Sequence, residues 1–251
     1  MGLNIAVFVP EGIVLSSDSL AFLRQDDEGF EASSQRTFAI WNKFLVSFVG
    51  GGFINGKPYG YYIQGIESKR MSIQIDYVKD FVDYLSKFFK HFQNENEEPL
   101  TVYIAGSSIE NSRLHHELYL IEHDNIIKLN EPNGKEEVYN YHMIGRGFWI
   151  NKLVLPTTFE DKQSEVNEAF EAAKIDFSKY SLYDAEKFAH FLIRTTAEMD
   201  KFIQTRATVN LNITTGIEAV ENTYKILSFR LNATIQGTIK TKIRNTGPNI
   251  P

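Results

Sequence analysis

From Asp76 to Phe92 the apolar residues Val78, Phe81, Val82, Leu85, Phe88, Phe89 and Phe92 recur at three- and four-residue steps, with Lys79, Asp80, Asp83, Lys87 and Lys90 between them. That period gathers the rings on one stripe and the charges on another, so the segment is predicted as an amphipathic helix that needs an apolar surface beneath it. A second stripe, Ala185, Phe188, Ala189, Leu192, Ile193, Thr196, Met199 and Ile203, predicts a helix over about Leu182 to Thr205. Ser181 stands at its N-cap position with Asp184 three residues on, an arrangement that satisfies first-turn N–H groups and suits the helix dipole. A shorter helix is predicted over Glu165 to Lys174.

The surface for these helices is expected from short β-rich runs. Leu3 to Val9 and Ile13 to Ser17 are joined by Pro10-Glu11-Gly12 and read as a hairpin. Leu20 to Ser34 is polar and read as irregular. Thr37 to Trp41 and Phe44 to Val49 read as a second pair around Asn42 and Lys43, closed by Gly50-Gly51-Gly52. After the first helix and the polar loop Asn94 to Pro99, Leu100 to Ala105 reads as a buried strand ending at Gly106. Glu117 to Glu122 and Ile126 to Leu129 read as a hairpin, and Lys135 to Ile144 as a strand ending at Gly145-Arg146-Gly147. Thr208 to Thr214 and Asn222 to Arg230 are further strands. This order predicts an α+β fold with helices packed outside a sheet pair. Without repeat or linker, one domain over 1–243 is expected, followed by a frayed tail over 244–251.

With 251 residues, 43% hydrophobic and 23% charged, the chain has ample material for a core. Its formal charge of −6 gives no overall basic field, so no nucleic-acid partner is expected. The absence of cysteine excludes disulfides, thiolate metal sites and a cysteine nucleophile. No run reaches the roughly 18 to 20 apolar residues of a membrane span, and the start lacks a basic n-region, so a cytoplasmic protein is expected. His115-His116 does not read as a metal pair, because neighbours in a strand point to opposite faces. No cofactor motif is found either: Gly50-Gly51-Gly52 lacks the Lys-Ser or Lys-Thr that a phosphate loop requires.

One run is more specific: Gly12-Ile13-Val14-Leu15-Ser16-Ser17-Asp18-Ser19, then Arg36, then Gly50 fourteen positions later. It resembles the N-terminal signature of proteasome-type N-terminal-nucleophile hydrolases, the β-type subunits and their bacterial and archaeal relatives. Ala105-Gly106-Ser107, Gly145-Arg146-Gly147 and Met199-Asp200 followed by Val209 to Thr214 extend the resemblance to about residue 215. It implies a four-layer αββα sandwich.

It also implies a site. Active members attack with the hydroxyl of an N-terminal threonine whose α-amine takes the proton. That threonine belongs sixteen positions before the Asp, which is Gly2 here, and removal of Met1 would expose a glycine amine with no side chain behind it. The family lysine falls at Arg36, which keeps the charge but does not give up a proton. The loop before Arg36 is about two residues longer than in the family. Gly50 would supply the oxyanion donor, Ile54 falls near the family's acidic residue, and the two supporting serines fall near Phe148 and Ile203. Asp18, Gly50 and Asp200 match, with Asp18 and Arg36 expected to pair.

Three functions follow from the resemblance. The first is a non-catalytic homo-oligomeric subunit, a dimer or a ring, with Phe88, Phe89 and Phe92 partly buried only in the assembly. The second is a divergent amidohydrolase or peptidase with relocated catalytic groups, and the third a ligand-binding module using the same cleft.

Overall fold

The computed structural model describes residues 2–25, 28–50, 52–70, 72–92, 100–110, 113–122, 125–131, 137–145, 175–203, 213–219 and 227–231. The helix expected over 165–174, the tail over 244–251 and parts of the strands expected over 208–214 and 222–230 lie outside the described residues.

In chain order the strands are β1 (Leu3–Val9), β2 (Gly12–Asp18), β3 (Leu20–Gln25), β4 (Glu28–Ser33), β5 (Thr37–Ile40), β6 (Phe44–Val49), β7 (Phe53–Ile54), β8 (Lys57–Pro58), β9 (Thr101–Glu110), β10 (Arg113–Glu122), β11 (Asn125–Lys128), β12 (Asn140–Gly145), β13 (Ile213–Ala219) and β14 (Leu227–Leu231). Among the described residues the helices are α1 (Tyr59–Glu67), α2 (Val78–Lys90) and α3 (Leu182–Ile203), with a 3-10 turn at Phe177–Lys179. One sheet has the order β12-β1-β2-β13-β14, another β11-β10-β9-β6-β5, and β3-β4 and β7-β8 form two-stranded sheets. The pairs within them are antiparallel. The α+β class read from the sequence is the one observed.

Strand side chains alternate between faces, and here both faces of the central strands are apolar. Leu3, Ile5, Val7, Val9 and Val14 join Ala185, Ala189, Leu192 and Ile193 of α3 in one buried cluster. The alternate residues Ala6, Phe8, Ile13 and Leu15 meet Leu45, Tyr103, Ala105, Leu118 and Leu120 of the other sheet. Phe44, Val46, Phe48, Val102, Ile104, Tyr119 and Ile121 join α1 and α2 in a third. Burial on both faces is why these strands read as unbroken apolar runs.

Several sequence expectations are corrected. Within the stretch read as irregular, Leu20–Gln25 and Glu28–Ser33 form a ladder, β3 with β4 in register from Leu20↔Ser33 to Gln25↔Glu28. Backbone pairing needs no apolar alternation to form it. The strand expected to stop at Gly106 runs to Glu110; Gly106 pairs with Phe44 and Glu117 inside it. A Cβ there would lie 2.9 Å from Phe44 and 3.0 Å from Val78, so this glycine admits close approach of α2 and does not end the strand. The strand expected over Lys135 to Ile144 is described from Asn140 to Gly145, with 137–139 irregular. The second hairpin turns on Trp41 and Asn42, not Asn42 and Lys43. Both have positive φ, 55° and 52°, as a type I′ turn requires. Trp41 holds this backbone by donating its N–H to Oε1 of Glu67 (2.6 Å) and its indole N–H to the Ile66 carbonyl (3.2 Å).

Helix α1 was not anticipated. Two glycines, Gly60 and Gly65, and an N-cap without a side-chain hydrogen bond hide it, yet Tyr59, Tyr62, Ile63 and Ile66 are buried at helical spacing. It changes the meaning of the α2 stripe. Tyr59 stacks on Phe48 with ring centroids 4.4 Å apart, and Tyr62 lies 6.1 Å from Phe89 and 5.2 Å from Phe92. Phe89 is 2% exposed, and Phe88 and Phe92 are partly buried against the same cluster. The stripe is therefore covered within one chain, and the expectation that it is buried only by assembly does not hold.

Candidate functional site

The hairpin β1–β2 places residue 3 beside residue 18, and the Arg36 carbonyl, just before β5, accepts the N–H of Phe48 at 3.0 Å. These anchors bring the Asp18 and Arg36 side chains together between the sheets. Oδ1 of Asp18 accepts Nη1–H of Arg36 at 2.7 Å and the Leu3 N–H at 2.8 Å. Both side chains are buried, at 0% and 1% exposure. A guanidinium in this pair supplies fixed positive charge and cannot serve as a base.

Gly2 is fully part of this knot. A Cβ built on it would lie 1.3 Å from Nη1 of Arg36 and 2.3 Å from Oδ1 of Asp18, a clash with both. The space a residue-2 side chain would need is filled by the ion pair itself. Gly50 follows β6 with φ +119°, near where Nδ2 of Asn4 donates to the Phe48 carbonyl at 2.7 Å. Asp200 lies near the C-terminal end of α3. Of the positions read for supporting groups, Phe148 lies outside the described residues, and Ile203 ends α3. Ile54 is 4% exposed and belongs to the apolar cluster, which suits it and would not suit an acid.

The sequence reading missed the polar groups between the layers. Nδ2 of Asn4 donates to Oγ of Ser47 (2.9 Å), which bonds the Thr37 hydroxyl (2.8 Å), which bonds the Ser17 hydroxyl (2.8 Å). On the other face of β2 the Ser16 hydroxyl bonds that of Thr215 (2.8 Å), and Thr215 bonds Nε2 of His190 on α3 (2.7 Å). The Tyr103 hydroxyl bonds Nδ1 of His142 at 2.7 Å, joining β9 to β12 across the two sheets. Their signal was present: Asn4 and Ser16-Ser17 are lone polar residues in runs otherwise apolar on both faces, which only mutual hydrogen bonding makes tolerable.

Burial lowers the imidazoles of His190 and His142 from the usual histidine range. For His190 the nearby Arg194 charge adds to the effect, and for His142 Glu122 opposes it. Burial also raises the Tyr103 phenol well above its ordinary value, with Glu122 adding to it. Ser16 and Thr215, at 0% and 1% exposure, offer hydroxyls to each other and to His190 but none to a solvent-borne substrate. Among the described residues no group of three or more His, Asp or Glu is placed to hold a metal ion, and no helix is long and apolar enough to cross a membrane.

No family model matches the sequence, and no curated protein matches it. Solved structures do. Anbu (ancestral beta-subunit) from Yersinia bercovieri aligns with TM-score 0.58 at 12% identity, covering 91% of this chain and 86% of that one. The Anbu (Gly-1) mutant from Hyphomicrobium sp. strain MC1 gives 0.58 at 12% identity over 93% and 88%. Anbu from the same strain gives 0.58 at 13% over 92% and 88%. The family membership read from the first fifty positions is thereby corrected. At this identity the chain shares a fold with Anbu, and its sequence places it in no family model.

Proposed function

We propose that this chain is a non-catalytic, proteasome-subunit-like structural protein. The observation that carries the reading is the place of Arg36: its guanidinium fills the space a nucleophile's side chain at position 2 would need. A hydrolase of this geometry requires that space for its attacking hydroxyl and for the substrate carbonyl. Gly2, Asp18, Arg36, Gly50 and Asp200 are on this reading the remains of a degenerate site, with the ion pair turned to structure.

The three apolar clusters support the finer architecture, four layers αββα, with α1 and α2 outside one five-stranded sheet and α3 outside the other. They draw on residues from Leu3 to Ile213 and so support one domain, with 1–243 as its extent and 244–251 as a tail. Assembly into a homo-oligomer, a dimer or a ring, is supported by the likeness to proteins described as subunits and by the outer face of α3. There Tyr183 and Phe191 are 62% and 56% exposed, two rings that a second copy would cover. The charge balance supports neither nucleic acid nor membrane as partner and suits a cytoplasmic protein.

Light scattering of the purified chain, read with electron microscopy, tests this function. Particles at an integral multiple of 28.8 kDa with closed symmetry are expected. A stable monomer that turns over amide or peptide substrates would overturn it.

A further inference from the structure

His116, on β10, faces the layer between the sheets at the end away from Gly2. Its Nδ1 bonds the Ser107 hydroxyl at 2.8 Å. The residue is 8% exposed, and its buried Nε2 has no hydrogen-bond partner. It lines a cavity of about 10 Å³ together with Phe8, Gly12 and Ile13 of the first hairpin, Asn130, Glu137 and Tyr139. That is room for about one water molecule. Asn130 is turned to the backbone of β10, accepting from the Leu118 N–H (3.0 Å) and donating to the His116 carbonyl (2.7 Å). Glu137 is the carboxylate on the cavity wall. It is exposed, and its Oε2 accepts the Tyr139 hydroxyl at 3.1 Å.

We propose that His116 and Glu137 form an acid-operated latch: on taking a proton, the buried Nε2 donates to the Glu137 carboxylate, directly or through one water, and ties the segment before β12 to the second sheet. The Val138 N–H already donates to the Asn130 carbonyl at 2.8 Å, which anchors the residue next to Glu137 at the cavity that His116 lines.

The charges around His116 decide the direction. Burial lowers its pKa from the ordinary histidine value, Glu137 raises it, and His115 lowers it slightly. Glu117, the next residue, belongs to the opposite face, where Ser108, Tyr119 and Lys128 engage it. Glu11 of the first hairpin accepts the Leu182 N–H. Glu137 is thus the charge that offsets the burial. The imidazole is neutral at neutral pH, and as pH falls below about 6.5 the folded state loses the stability tied to that neutral form. The latch limits that loss.

The test is a long-range 15N–1H titration of His116 in the full chain, wild type against Glu137→Gln, with His115→Gln as control. Glu137→Gln is expected to lower the His116 midpoint by about one pH unit, the size of a lost neighbouring opposite charge. In the wild type the amide signals of Glu137 to Tyr139 should move with that midpoint, and in Glu137→Gln they should not. His115→Gln should leave that segment's response intact. Equal midpoints in wild type and Glu137→Gln would overturn the latch, as would loss of the native spectrum at the wild-type midpoint. Glu137 is exposed, so the variant folds and the comparison holds.

Discussion

Nη1 of Arg36 stands 2.7 Å from Oδ1 of Asp18 in a site from which water is excluded. Each ion depends on the other there, because removing one leaves the other buried and uncompensated. Asp18→Ala or Arg36→Ala is predicted to destabilise the fold by ~3–5 kcal/mol. Replacing both by apolar residues of similar volume should recover much of that loss. Urea denaturation of the two single variants and the double variant measures the coupling.

Position 2 should tolerate nothing larger than glycine. Arg36 is long, but its pairing and burial leave it nowhere to retreat, so Gly2→Ala should cost more than 1 kcal/mol, on the order of a broken buried contact. Gly65 in α1 is the control, since a Cβ there meets nothing within 4 Å. Gly65→Ala should stabilise by about 0.5–1 kcal/mol through helix propensity. Opposite signs in thermal melts are the expected result.

The helix–sheet and sheet–sheet bonds of His190 and His142 predict acid sensitivity. Both pKa values are lowered in the folded state, so the unfolded chain binds more protons as pH falls below about 6.5. The stability they contribute is present above that pH and is lost as pH descends through the folded values. His190→Gln, which keeps a polar partner for Thr215, should flatten part of this slope. Denaturation midpoints between pH 7.5 and 5 measure it, and a slope unchanged in the variant would remove His190 from the account.

The outer face of α3, not α2, should carry assembly. Phe191→Asp is predicted to shift the species toward monomer while keeping helix signal, whereas Phe89→Ala should cost ~3–5 kcal/mol of stability through a core cavity. Light scattering and circular dichroism separate the two.

Much of this was legible in the residues because period reports burial. The α2 and α3 stripes and the apolar runs of β1, β2, β6 and β9 each announced an element. Asp18 and Arg36 were paired in advance only through the resemblance, since nothing local ties residues 18 positions apart. Helix α1 escaped because glycines at 60 and 65 depress helix propensity while tertiary contacts of Tyr59 and Tyr62 override it. That miss misdirected the assembly argument, for without α1 the rings of α2 look uncovered. The hydroxyl chains through Ser17, Thr37 and Ser47 depend on register between distant strands, which no short window of sequence contains.

The central claim is that position 2 holds no nucleophile and that Arg36 occupies its place. Intact mass after incubation with an epoxyketone or β-lactone that captures an N-terminal hydroxyl tests it most directly. The account predicts an unmodified mass for the wild type. It also predicts none for Gly2→Thr alone, whose new side chain has no room beside Arg36. A stoichiometric adduct on the wild-type chain would contradict it.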